Sequence, residues 1–133
     1  NIGTVRMLTG KVKSETWNEL KETLKIMGKS NKDLIGIGSG GNINKVIALI
    51  GQQHEDQLSS NDINDLYLNM EPMSVPERMH QYNIKQDRAE VIIPALDIYT
   101  KILKWANIDK VYVPKIGLAD GLIHHLYDQI SAK

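Results

Sequence analysis

The chain has 133 residues, enough for one domain with its own core, since single cores commonly form between roughly 50 and 250 residues. Apolar residues make up 41% and charged residues 24%, which disfavours disorder, collagen and coiled coil. Sixteen Lys and Arg balance sixteen Asp and Glu, so no global field recruits nucleic acid or an anionic membrane, and any polyanion must be bound locally. The absence of cysteine excludes disulfides, thiolate metal sites and cysteine nucleophiles and favours a reducing, cytoplasmic compartment. No apolar stretch approaches the ~18 residues that span a bilayer.

In chain order, Ile2, Thr4, Arg6 and Leu8 alternate with Gly3, Val5 and Met7, the period of a partly covered strand, with Thr9-Gly10 as a turn. Ser14 precedes Trp17, Leu20, Leu24 and Met27 at helical spacing, and Gly28 stands where a left-handed cap is expected. The apolar run Asp33 to Ile37 enters Gly38-Ser39-Gly40-Gly41-Asn42 and then the helical pattern Ile43, Val46, Ile47, Ile50, stopped by Gly51. A strand ending in glycines brings bare N–H groups close to an anion. The next helix adds unpaired donors and a positive dipole end, so this turn reads as a phosphate site.

Beyond a polar break from Gln52 to Ser60, Ile63, Leu66, Tyr67 and Met70 mark a helix capped by Ser59 or Ser60 and ended before Pro72. Ser74-Val75-Pro76-Glu77 has capping-box form and opens a short helix through Met79 and Tyr82. Residues 87 to 107 carry Val91, Ala95, Ile98, Ile102 and Leu103 at helical spacing, with Pro94 expected to bend the helix. Lys110 to Val113 is a short strand stopped by Pro114, and Leu122, Ile123, Leu126, Tyr127 and Ile130 mark a last helix. Strands separated by helices imply an α/β fold with parallel strands flanked by helices.

Gly36-Ile37-Gly38-Ser39-Gly40-Gly41 satisfies the dinucleotide pattern G-x-G-x-x-G, but the second strand and ribose-binding acid that this fold needs within about thirty residues do not follow. No Gly-Lys-Ser/Thr follows either, so a P-loop is unsupported; a turn needed only for tight strand-to-helix packing is the plainer alternative. The four histidines, His54, His80, His124 and His125, include an adjacent pair whose directions differ by about 100° on a helix, which cannot jointly hold a metal. Asp62, Asp65, Asp87 and Glu90 show no metal or catalytic spacing and suit helix-start roles. Arg78, Lys85 and Arg88 form a modest basic group whose ordinary reading is a solvated face.

Four segments in order, Asn1 to Arg6, Gly36 to Asn42, Asp87 to Pro94, and Val113 with Gly117 to Leu122, resemble the C-terminal part of Ppx/GppA phosphatases, the exopolyphosphatase and guanosine pentaphosphate phosphatase family. The resemblance implies a partial actin-like, ribonuclease H-like domain. Residues 1 to 133 would be its C-terminal portion, lacking the first lobe and the first strands of the second. It implies a hydrolase that removes terminal phosphate from polyphosphate or pppGpp, uses Mg2+, and activates water with a glutamate. That glutamate, the first phosphate loop and the Asp-x-Gly-Gly-Gly-Ser loop do not occur here, so no catalytic residue and no metal ligand is assigned. By the same match Gly38, Ser39, Gly40, Gly41, Asn42 and Arg88 would line the second-lobe side of the phosphate cleft. Asn42 stands where the family often has threonine; Pro114-Lys115 and Ala119 stand where Ser-Asp and a later Arg are common. A non-catalytic ligand-binding or assembly module of the same fold is the alternative. The expected partners are the missing N-terminal lobe and a second copy of the chain, either of which would cover the edge of a strand at residues 2 to 8.

Overall fold

A computed structural model of the chain describes residues 1–51, 56–114 and 116–131. His54, within the polar break, and Lys115 lie outside the described residues. The elements run α1 (Thr4–Leu8), α2 (Ser14–Ser30), β1 (Gly36–Ile37), α3 (Gly41–Ile50), β2 (Gln57–Ser59), α4 (Ser60–Met70), α5 (Val75–Tyr82), α6 (Gln86–Ala106), β3 (Lys110–Tyr112) and α7 (Leu118–Ser131).

The sheet has the order β1-β3-β2. β1 lies parallel to β3, with Gly36 opposite Val111 and Ile37 opposite Tyr112, as strands joined through helices require. β2 runs antiparallel to β3, with Leu58 opposite Val111, so the sheet is mixed rather than parallel throughout. Three residues with one buried apolar side chain, Leu58, are too few to show a strand period, which is why Gln57 to Ser59 reads as part of a polar break.

Residues 2 to 8 are not a strand. Thr4 to Leu8 form α1, in which the Met7 N–H donates to Gly3 O at 2.9 Å and the Thr9 N–H to Val5 O at 3.1 Å. A strand depends on a neighbour for its backbone bonds, whereas a helical turn satisfies them internally, and residues 2 to 8 have no strand beside them in this sheet. α1 packs on α6 with no fully buried side chain. Among the described residues the sheet's two edge strands are β1 and β2, and residues 2 to 8 form neither.

Gly28 is no cap either. It lies inside α2, and a Cβ placed on it would meet Ala106 O at 2.5 Å and Ala106 C at 2.8 Å, so it is the point where α2 closes onto the end of α6. Nearby, the Trp17 and Trp105 rings meet edge to face at 5.9 Å, and the Lys101 ammonium lies 4.6 Å from the Trp17 ring centre.

The core is continuous. Ile43, Val46 and Ile47 of α3, Ile63, Leu66 and Met70 of α4, and Ile92, Leu96 and Leu103 of α6 bury against one face of the sheet through Leu58, Val111 and Val113. Both capping boxes form. Ser59 Oγ accepts from the Asp62 N–H at 3.0 Å while Asp62 Oδ2 accepts from the Ser59 N–H; Ser74 and Glu77 do the same at α5. These bonds hold the Glu77 carboxyl below the usual carboxylate range, the Ser74 hydroxyl contributing most. α6 continues through Pro94 as one helix of 21 residues. Among the described residues no helix is long and apolar enough to cross a membrane.

Candidate anion site at the glycine turn

The turn between β1 and α3 is built from three glycines with different duties. Gly38 lets the strand end close on the helix: a Cβ there would lie 2.8 Å from Ile43 Cγ1, and its N–H donates to Tyr112 O at 2.8 Å. Gly40, at φ 104 and ψ 172, holds a backbone conformation that side chains rarely adopt, and it is the N-cap of α3. Having no side chain, it supplies no cap to the first N–H groups of α3, which helix geometry leaves without partners within the helix. Gly41 provides the third opening. A Cβ on it would lie 3.2 Å from Arg88 Nη2 and 3.4 Å from Arg88 Nη1, so the guanidinium lies directly against its bare Cα.

Arg88 reaches this turn from the first turn of α6, with its Nη1 donating to Asn42 Oδ1 at 2.9 Å across 46 residues of sequence. The fold therefore brings Gly41, Asn42 and Arg88 together. Among the described residues Arg88 has no carboxylate partner, the ion pairs being Lys25 with Glu22 and Lys101 with Asp97. With Oδ1 engaged, the Asn42 amide nitrogen is left as a donor. A guanidinium and the positive end of a helix repel each other, and a bound anion between or beside them offsets both. Ser39 is exposed in the same turn and makes no side-chain bond among the described residues.

The other members of the basic group part company with Arg88. Arg78 turns inward: its Nε donates to Met70 O and its Nη1 to Ala89 O, each at 3.1 Å, joining the end of α4 to the start of α6. Burial lowers its pKa, against a smaller opposing effect from Glu71. Lys85 is exposed. Arg78 is thus a structural staple that its sequence position among basic residues conceals; the signal that could have found it is the unsatisfied carbonyl set at the end of α4. Among the described histidines, His80, His124 and His125 are exposed, and His125 Nε2 lies 3.0 Å from Gln129 Nε2. Asp62 serves its cap. Among the described residues no group of three or more His, Asp or Glu side chains is placed to hold a metal ion.

No family model matches the sequence, and no curated protein sequence matches it. Solved structures do. The crystal structure of the Ppx/GppA family member of Aquifex aeolicus superimposes with a TM-score of 0.65 at 22% identity, covering 96% of this chain and 47% of that one. The chain shares the fold of about half of a Ppx/GppA protein. A type II variant crystal structure of the Aquifex aeolicus Ppx/GppA phosphatase gives a TM-score of 0.64 at 23% identity over 92% of this chain and 46% of that one. A further structure of the Aquifex aeolicus enzyme gives 0.59 at 22% over 84% and 41%. The chain thus spans less than half the length of the Ppx/GppA structures it matches, and likeness at this identity establishes the fold. The actin-like α/β architecture of the Ppx/GppA proteins agrees with a parallel strand pair reached through helices.

Proposed function

We propose that this chain is the C-terminal portion of a Ppx/GppA-type phosphoanhydride hydrolase and supplies one wall of its phosphate cleft. One observation carries this reading: Arg88, bonded to Asn42, lies against Gly41 at the uncapped start of α3 with no carboxylate beside it among the described residues. Three kinds of donor converge there. The first N–H groups of α3, the Asn42 amide and the Arg88 guanidinium suit the peripheral oxygens of a phosphate chain, whose negative charge they offset. Gly38 and Gly40 shape the turn, and Ser39 adds a hydroxyl. The substrate class is linear polyphosphate or a nucleotide bearing a terminal polyphosphate such as pppGpp. Water activation belongs to the half of the protein that this chain does not contain.

Two surfaces support partners. β1 is one of the sheet's two edge strands, with Ile35 and Ile37 exposed, and Tyr112 opposite Ile37 is exposed on the same side. α7 carries Leu122, Ile123, Leu126, Tyr127 and Ile130, all exposed, and among the described residues it has no extensive packing against another element. Such surfaces mark docking faces in soluble proteins. The N-terminal lobe, together with a second copy of the protein, is proposed to cover them. A non-catalytic binding or assembly module of the same fold is the second reading, favoured by Pro114 just after β3 and Ala119 at the start of α7 in place of the polar residues common in the family.

Calorimetric titration of the chain with tripolyphosphate tests the site. Arg88→Ala should weaken binding about tenfold or more, the loss of a charge-assisted hydrogen bond. Unchanged affinity in Arg88→Ala would refute the site. Phosphate release by the complete protein separates the two readings: a parent that binds tripolyphosphate without hydrolysing it supports the module.

A further inference from the structure

A second concavity lies at the opposite end of α6. It is a groove of about 450 Å³ between α4, the last turns of α6 and the Asn107 to Asp109 turn. The separation from the glycine turn is large, since Arg88 and Lys104 are 16 residues apart on one helix, about 24 Å of rise. The groove is within the size range of sites that hold small organic ligands.

Its lining has an unusual composition for a surface of neutral overall charge. Three carboxamide residues, Asn61, Asn64 and Asn107, line it together with Tyr67, Lys101, Lys104 and Asp109. Lys101 is held by Asp97 Oδ2 at 2.5 Å. Among the described residues the side chains of Asn61, Asn64, Lys104 and Asn107 make no hydrogen bond or ion pair within the chain. Asn107 keeps its carboxamide at a left-handed position, φ 55, where glycine is the commoner choice. The exposed Leu68 adds an apolar wall.

A simple anion would use the lysines and leave the carboxamides idle. A carboxamide presents a donor and an acceptor side by side, the complement of a purine's exocyclic amine and ring nitrogen. A base also stacks on an aromatic ring and lies on an apolar side chain, and its phosphate takes an ammonium. We infer that this groove binds a purine nucleoside monophosphate, its base against Asn61, Asn64 and Tyr67 and its phosphate at Lys104. The site is separate from the phosphate wall at Arg88 and does not rest on the reading of that wall.

The test is an NMR and calorimetric titration of the full 133-residue chain with AMP and GMP, with ribose 5-phosphate as the probe lacking a base. Saturable binding is expected, with amide shifts centred on residues 61, 64 and 107. Asn64→Ala and Lys104→Ala, both at exposed positions, should each weaken it about tenfold, while Arg88→Ala leaves it unchanged. Ribose 5-phosphate should bind at least about tenfold more weakly than AMP or GMP. The absence of saturable binding, equal binding of ribose 5-phosphate, or loss in Arg88→Ala without loss in Asn64→Ala overturns the proposal.

Discussion

Replacing Gly28 with alanine sets two effects of opposite sign against each other. In an ordinary helix interior the change stabilises by about 0.5 to 1 kcal/mol, because glycine loses more backbone entropy on folding. At this position the new Cβ would lie 2.5 Å from Ala106 O, 2.8 Å from its carbonyl carbon and 3.2 Å from its Cα. All three are backbone atoms, so no side chain can rotate away; α2 must move off the end of α6 and open the packing around Trp17 and Trp105. Overpacking of this kind costs about 1 to 3 kcal/mol. The centres of the two ranges leave a net loss of about 1 kcal/mol, and their extremes at most about 2.5 kcal/mol, a fall in Tm of several degrees for a chain of this size. Differential scanning calorimetry measures it, with Gly121→Ala as the control, since nothing lies within 4 Å of a Cβ at Gly121 and that change should cost nothing. A Gly28→Ala Tm equal to or above that of the parent would refute the close approach of α2 and α6.

Arg78→Ala removes both bonds to the Met70 and Ala89 carbonyls and should cost about 2 kcal/mol, read as a lower urea midpoint at unchanged slope. An unchanged midpoint would remove Arg78 from its role as a staple. Glu77 has a folded pKa below its ordinary 4.5, so its contribution is complete above that value and is lost as pH falls through the lowered pKa. Thermal melts between neutral and acid pH should therefore show a shallower acid decline in Glu77→Gln than in the parent, and identical slopes would count against the capping box at α5.

Much of the fold was legible wherever a local rule coincided with the tertiary outcome. Ser74 with Glu77 marks the start of α5 in the sequence because the capping bonds involve residues three apart and need no partner from elsewhere. Ile43, Val46, Ile47 and Ile50 announce α3 because burial on one side imposes helical spacing. Residues 2 to 8 misled for the complementary reason. Their alternation suits a strand, but a strand exists only beside another strand, and the neighbour is not a property of the segment. Gly28 shows the same limit, since its requirement is set by Ala106, far along the chain. At the candidate site, resemblance put Asn42 and Arg88 in one group; the bond between them, and the inward turn of Arg78, are products of packing that neither spacing nor charge pattern contains.

The inward turn of Arg78 couples the candidate site to the interior. Its guanidinium grips the carbonyl of Ala89, the residue next to Arg88, and the carbonyl of Met70, whose side chain is fully buried. The stretch of α6 that presents Arg88 is thereby moored to the deepest part of α4. An anion that immobilises Arg88 draws on the same local unfolding equilibrium that governs the end of α4, so occupancy of the turn should be readable as slower amide hydrogen exchange near Met70, in a helix that never touches the ligand.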